Sequence, residues 1–318
     1  MSHVVVISGH PDLEQSFTNT VILDQLASRL DSVDIRRLDT LYPDYKIDVA
    51  AEQAALIKAD IIVLQYPFYW YTMPGLLKKW MDDVMTFNFA YGPEGDKLKD
   101  KELIASFTVG GPQDAYDPLG YNHFPIEQFM YPIQQTAYLA GLKYNKPVYT
   151  HQMVYIPGVY NKLEDVQARA RDHGNRLLSL IHTLSNSPEN RIKSFVANWF
   201  SAMDKLEEDT SSYTTALAED LNMVMPEGTF TGHSGFRDWY AGARKVFKPD
   251  CVHTIEQIDI KNEGSGYHVE LRIRLIADTF EDSHLNGQSL NLLVNEVWKL
   301  SMSDNGQITI HDYLVTPV

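Results

Sequence analysis

The chain has 318 residues, enough for two domains of ordinary size, and 44% of them are hydrophobic, enough for a core in each. Lys and Arg number 27 against 42 Asp and Glu, and the formal net charge of −15 argues against nucleic-acid partners and against an anionic membrane surface. The single cysteine, Cys251, excludes an intrachain disulfide and fits a reducing cytoplasm, no run of 18 apolar residues predicts a membrane span, and no basic stretch before Val4 predicts a signal peptide. From the start of the chain, strand and helix patterns alternate. Residues 4–8 form a short continuous apolar run, as a strand buried on both faces requires. A loop over 9–15 leads into a helix over 16–30, followed by a strand over 33–37 and a helix over 48–59. Further strands are predicted over 61–65, 103–109 and 148–155, and further helices over 75–84 and 126–140, the last with Gly141 as its stop signal. This alternation predicts a doubly wound, five-stranded parallel α/β sheet over residues 1–185.

The polar stretch 186–190, with Pro188, reads as a linker. Beyond it the pattern changes. Ile192, Phe195, Val196, Trp199, Phe200, Met203 and Leu206 form one apolar helix stripe, and a second helix is predicted over 234–247 with Ser234 at its N-cap. Over 267–279, apolar Val269, Leu271, Ile273 and Leu275 alternate with polar residues, as in a half-buried antiparallel strand. Two more strands, over 289–300 and 307–314, are joined by a turn containing Asn305-Gly306. Helices first and strands after predict an α+β domain over residues 191–318.

Three loops follow strands of the first domain and, in a doubly wound sheet, gather at one edge. The first runs from Gly9-His10-Pro11 to Ser16-Phe17-Thr18-Asn19 and offers hydroxyls and N–H groups at a helix start, suited to a phosphate or to plain helix capping. The second, 65–74, carries Phe68, Tyr69, Trp70 and Tyr71 between Pro67 and Pro74, suited to stacking on a flat ring or to a core wedge or dimer patch. The third is Thr108-Val109-Gly110-Gly111-Pro112, where paired glycines let N–H groups approach a ligand or simply make a tight turn. Asp82 and Asp83, following Lys78 and Lys79, read as a solvated helix face, and no histidines stand at metal-ligand spacing.

The motifs His10-Pro11 with Ser16, Pro67-Phe68-Tyr69-Trp70-Tyr71-Thr72-Met73-Pro74, Phe89-Ala90-Tyr91-Gly92 and Thr108-Val109-Gly110-Gly111 occur in this order. Together they make residues 3–184 resemble the flavodoxin-like NAD(P)H:quinone oxidoreductase family. The stretch 41–53 is similar to the bacterial branch that contains the ancillary oxidoreductase of glutathione-gated potassium efflux. The resemblance implies tightly bound FMN or FAD and a ping-pong hydride transfer from NADH or NADPH to a quinone. It implies that His10, Ser16, Phe17 and Asn19 line the phosphate end of the flavin. Pro67, Phe68, Tyr69, Trp70, Tyr71, Thr108, Val109, Gly110 and Gly111 would line its ring. Tyr116 falls at the active-site tyrosine, and His123 matches the active-site histidine with one extra residue of spacing. The family is homodimeric, with Tyr91 reaching the neighbouring subunit's flavin. The branch also implies a regulatory alternative, contact with a potassium efflux transporter, and the fold a third, one-electron transfer.

Residues 191–318 resemble the nuclear-transport-factor-2-like, or polyketide-cyclase-like, fold, on the helix order, the stretch 225–233 and the long strands that follow. The resemblance implies a curved sheet around a pocket, with Trp199, Tyr213, His233, Trp239, Tyr240, Glu270 and Glu296 as candidate lining. A catalytic domain acting on quinone-like compounds and a binding or dimerisation module both fit it.

Overall fold

The computed structural model describes residues 2–318. The chain divides into two compact units, residues 1–186 and 187–318.

The first unit is built on a parallel sheet. Strand β1 (Val4–Ser8) lies between β2 (Val33–Arg37) and β3 (Ile61–Pro67), and β3 pairs with β4 (Glu102–Thr108). The edge beyond β4 holds two short strands, β5 (Lys143–Tyr144) and β6 (Val148–Thr150), so the strand predicted over 148–155 ends at Thr150. Past that point Gln152 turns into the left-handed region at φ 58°, and its N–H bonds Gly111 O instead of continuing the ladder. The apolar runs work as their pattern requires. Val5 and Ile7 pack in one core layer with Leu56 and Trp80, whereas Val4 and Val6 pack in the other with Leu26 and Leu177.

Helix α1 (Asn19–Arg29) starts three residues later than the pattern predicts, because Ser16 Oγ accepts the Asn19 N–H from outside the helix. After α2 (Leu38–Leu41) comes α3 (Val49–Lys58), opened by the Asp48 carboxylate accepting the Ala51 N–H. Helix α4 (Gly75–Val84) carries the Lys78–Asp82 and Lys79–Asp83 pairs on its surface, the solvated face read from the sequence. The helix predicted over 126–140 is two pieces, α5 (Ile126–Phe129) and α6 (Tyr131–Leu139), with Pro132 in the first turn of the second. It stops as Gly141 predicts. The Gly141 N–H bonds Tyr138 O and the Leu142 N–H bonds Ala137 O around a φ of 69°. Helix α7 (Leu163–Ser185) closes the unit.

In the second unit α8 (Pro188–Met203) begins inside the stretch read as a linker. Ser187 Oγ accepts the Asn190 N–H, and Pro188 takes the first turn. After α9 (Ser211–Thr214) come β7 (Leu217–Met225) and β8 (Gly228–Thr231), a hairpin that the sequence pattern did not reveal. Helix α10 (Gly232–Val246) follows, starting two residues before the predicted Ser234. The long strands are β9 (Val252–Asn262), β10 (Tyr267–Asp278), β11 (Ser289–Met302) and β12 (Ile308–Pro317). Their order is β8-β7-β12-β11-β10-β9, antiparallel except where β12 runs parallel to β7. As the alternation predicts, Val269, Leu271 and Ile273 are buried in the core with Trp199, Phe236 and Trp298.

Candidate functional site

In the first unit the chain leaves β1 to one side for β2 and returns across it to β3, so the connections diverge at the carboxyl ends of β1 and β3. Gly9 ends β1. A Cβ there would lie 2.7 Å from Leu77 Cβ, so only glycine lets the strand end approach α4 so closely. Next comes His10, buried and neutral. Its Nδ1 accepts the Asp12 N–H at 3.1 Å, and burial, outweighing Asp39 and Asp12, pulls its imidazole below the ordinary histidine value. Ser16 and Asn19 are framework. Asn19 donates its amide to Ser16 Oγ (3.2 Å) and Thr108 Oγ1 (3.3 Å) and accepts from Gln65 Nε2 (2.8 Å), tying the first loop to the ends of β3 and β4. At the start of α1, the N–H groups of Phe17 and Thr18 have no protein acceptor among the described residues. The Phe17 ring is half exposed, edge-on to Tyr155 at 5.4 Å.

The aromatic loop divides in two. Pro67 still pairs with Thr108 in the sheet, and Phe68 is buried among Phe107, Tyr116 and Phe129. Tyr69 and Thr72 then exchange both backbone hydrogen bonds at 3.0 Å, closing a two-residue turn with Trp70 at φ 47° and Tyr71 at φ 66°. Two bulky residues in the left-handed region cost about 1–2 kcal/mol each, and the turn holds Trp70 91% exposed. An aromatic ring held in solvent by a strained backbone is the mark of a contact surface rather than of a core wedge. Tyr71 stacks on Phe129 at 5.3 Å and donates its hydroxyl to Asn122 Oδ1 at 3.0 Å.

In the glycine loop Val109 is sheet framework. Its N–H bonds Thr150 O, its carbonyl accepts the Met153 N–H, and its side chain is buried. Of the loop's expected lining residues, Val109 therefore offers no exposed side chain or free backbone group. The N–H groups of Gly110 and Gly111 have no acceptor among the described residues, and they border an open depression of about 470 Å³ with Tyr121, Val154 and Tyr160. A Cβ on Gly111 would stand 3.3 Å from both the Tyr116 ring and the Tyr121 hydroxyl.

Tyr116 is half buried, and burial raises its hydroxyl above the ordinary tyrosine value, so it is a neutral donor at physiological pH. Its ring neighbour is His151, at 5.3 Å. The sequence reading did not single this histidine out. Burial lowers the His151 pKa, and its Nδ1 faces Gly111 O at 3.2 Å, so the neutral ring donates there and keeps Nε2 as an acceptor. His123, paired with Tyr116 by the motif spacing, sits exposed at φ 62°, and its imidazole has no hydrogen bond or ring contact among the described residues. Tyr91 lies on the connection after α4, exposed, with Phe87 edge-on at 5.8 Å, and is not brought to the other candidates within this chain.

Beneath the site a chain of side chains runs from the exposed Arg176 into the interior. Arg176 Nη2 donates to Thr150 Oγ1 (2.6 Å), which faces His173 Nδ1 (2.9 Å), and His173 Nε2 faces Ser106 Oγ (2.8 Å). Ser106 donates to Gln65 Oε1 (2.6 Å), and Gln65 donates to Asn19. Burial and the neighbouring Arg176 hold the His173 pKa down to about 3, so the ring is neutral, and Thr150, His173, Ser106, Gln65 and Asn19 each have a donor and an acceptor role filled. Gln65, Ser106, Thr150 and His173 come from three strands and a helix, and only their convergence in the fold reveals them as one chain.

Of the seven residues expected to line a pocket in the second unit, Trp239, Tyr240 and Glu296 line one. Trp199 and Tyr213 are aromatic core, His233 Nε2 bonds Leu217 O at 2.9 Å, and Glu270 is exposed and paired with Lys261.

A family model described as flavodoxin-like fold matches residues 2–177. The chain is 39% identical over 175 residues to the glutathione-regulated potassium-efflux system ancillary protein KefF of Klebsiella aerogenes, covering 94% of that protein and 55% of this chain. It is 40% identical over 168 residues to general stress protein 14 of Bacillus subtilis, covering 93% of that protein and 53% of this chain. Among solved structures, the Treponema denticola general stress protein 14 in complex with FMN matches 57% of this chain and 99% of that one, at 28% identity and a TM-score of 0.52. With its β2-β1-β3-β4 parallel order and the loops gathered at the carboxyl ends of those strands, the chain belongs to the flavodoxin-like fold family.

Proposed function

We propose that the first unit is a flavin-dependent oxidoreductase that uses NAD(P)H to reduce quinones or related electrophiles by two electrons. One observation carries this reading. Unpartnered N–H groups stand at Phe17–Thr18 and at Gly110–Gly111, with a solvent-held aromatic turn at 69–72 on the neighbouring strand. A flavin needs these three things, an anion site, a polar edge for its ring and a stacking surface. The start of α1 would hold the phosphate, aided by the helix dipole and the His10 imidazole. Gly110 and Gly111 would hold the oxygen-bearing edge of the ring, and Trp70 and Tyr71 would flank its face. FMN is favoured over FAD because the Treponema denticola relative holds FMN. When bound, the flavin supplies the two-electron hydride carrier.

This chain's residues then orient the partners and manage charge. Tyr116, kept protonated by its burial, donates a hydrogen bond to the oxygen of the bound acceptor. His151 presents a neutral acceptor nitrogen beside it. The reading includes a homodimer in which the exposed Phe87–Tyr91 pair of one copy reaches the crevice of the other.

The test is an absorbance spectrum of the purified protein, followed by anaerobic NADPH and then menadione. Yellow protein that bleaches with NADPH and recovers with menadione is the expected result, with FMN in the heat-released fraction. Protein that takes up neither flavin on reconstitution would overturn the reading. Tyr116→Phe should lower menadione turnover by about tenfold or more while leaving the flavin bound. Unchanged turnover would remove Tyr116 from the reaction. A second reading rests on the 39% identity to a potassium-efflux ancillary protein, namely that the unit also docks on such a transporter. Co-purification with an efflux transporter from membranes tests it.

A further inference from the structure

The second unit encloses a cavity of about 150 Å³ between α8, α10 and one face of β10, β11 and β12. Its wall is mainly apolar, with Phe200, Met203, Trp239, Val294 and Val315 among the lining side chains. A cavity of this order accepts a molecule the size of a single aromatic ring. Besides the exposed Glu227 and the Tyr313 hydroxyl, two polar groups in the wall are of opposite kinds.

The first is Glu296, on β11. It is 5% exposed, its Oε2 accepts the Trp298 indole N–H at 2.9 Å, and it has no cationic partner among the described residues. Its remaining neighbour is the Tyr313 hydroxyl, itself buried. Burial raises this carboxyl to about 8, so at neutral pH it is an O–H donor rather than a carboxylate.

The second is His253, on β9. The Asp204 carboxylate lies 2.6 Å from His253 Nδ1 and also accepts the His253 backbone N–H at 3.1 Å, while the ring stacks on Phe200 at 5.0 Å and 27°. A carboxylate on Nδ1 fixes the tautomer, so that the neutral ring offers Nε2 as its acceptor. The sequence singled out neither His253 nor Asp204, because the two stand 49 residues apart and meet only through the fold.

A donor and an acceptor set in one apolar cavity specify a ligand. We propose that this cavity binds a small neutral ring compound bearing a hydroxyl and a second, accepting oxygen, with the hydroxyl donating to His253 and the other oxygen accepting from Glu296. An anionic ligand is disfavoured, since its charge would lose water without gaining a cation. Hydroxylated aromatic ketones and hydroquinones both fall in this class, so the inference stands apart from the reaction proposed for the first unit.

The experiment is calorimetric titration of 4-hydroxyacetophenone into the full chain at neutral pH. The comparison ligands are 4-methoxyacetophenone, which lacks the donor, 4-ethylphenol, which lacks the carbonyl, and anionic 4-hydroxybenzoate. Loss of either hydrogen bond should weaken binding about tenfold, and the anion should bind about a hundredfold more weakly. Ala243→Phe, which fills the cavity from α10, should abolish binding. His253→Phe keeps a ring against Phe200 and removes the acceptor, and it should bind the parent ligand about tenfold more weakly. It should also erase the difference between the hydroxy and methoxy ligands, so it decides the question if Ala243→Phe does not fold. Asp82→Ala, on the solvated face of α4 in the first unit, should leave this affinity unchanged. Unchanged affinity in folded Ala243→Phe, equal affinity for all four ligands, or loss of binding in Asp82→Ala would each overturn the proposal. None of these outcomes depends on flavin or on quinone turnover.

Discussion

Each unit buries a titratable side chain, and each treats it differently. In the first, His173 is fully enclosed and both ring nitrogens are engaged, with Thr150 on one side and Ser106 on the other. The chain it belongs to runs on through Gln65 to Asn19 and so braces two of the loops that form the candidate site. In the second, Glu296 touches only neutral donors, Trp298 and Tyr313, and faces a cavity. A buried polar group with every partner inside the protein is framework. One that borders a cavity is placed to meet a ligand.

The largest expected effect comes from cutting the first of these arrangements. His173→Ala leaves a cavity and strands Thr150 and Ser106, and it should destabilise the first unit by about 3 kcal/mol or more. Hydrogen exchange read separately over residues 2–186 and 187–318 checks this. Protection should fall across the first range and hold in the second, and equal loss in both would mean that the units unfold together.

The pH dependence of the two units should run in opposite directions. The His173 pKa is about 3 in the fold against 6.5 unperturbed, so the unfolded chain binds the extra proton first. Its contribution is complete above pH 6.5 and is lost as pH falls toward 3, with a limiting slope of about 1.4 kcal/mol per pH unit. Glu296 is raised from 4.5 to about 8, so here the folded state holds the proton. Its contribution is complete below pH 4.5 and is lost as pH rises toward 8, with the same limiting slope of about 1.4 kcal/mol per pH unit. Denaturant unfolding of wild type and Glu296→Gln between pH 5 and 8 tests the second half. The variant should gain on wild type as pH rises, and parallel curves would show that Glu296 ionises freely in the fold.

The smallest effect expected is a gain. Trp70→Asn places a residue that tolerates the left-handed region at φ 47° and should stabilise the first unit by up to about 1 kcal/mol. The same change should weaken flavin retention. Stabilisation without any loss of flavin would mean that the exposed indole does not serve the ligand.

Much of the first unit could be read directly. Strands such as 4–8 and 61–65 are mainly apolar runs, buried on both faces in the fold, a pattern that needs no tertiary knowledge to recognise. The glycine, proline and aromatic residues of the three loops stand consecutively, so they also announce themselves. Spacing across loops carries less. His123 stands seven residues after Tyr116 and is exposed, whereas His151, on another segment, lies against the Tyr116 ring. In the second unit the aromatic residues Trp199 and Tyr213 look like pocket lining in sequence but pack into the core.

The alternation of strands and helices, and the runs of glycine, proline and aromatic residues in the loops between them, could be read from the sequence alone, because local periodicity and turn chemistry act over a few residues. Tertiary structure alone decided which polar groups meet: Tyr116 with His151, Ser106 with His173, and Asp204 with His253. A hydrogen bond is set by a few tenths of an ångström in space and by nothing in the intervening sequence. Each of these pairs is made by elements distant in the chain that the hydrophobic cores alone bring together.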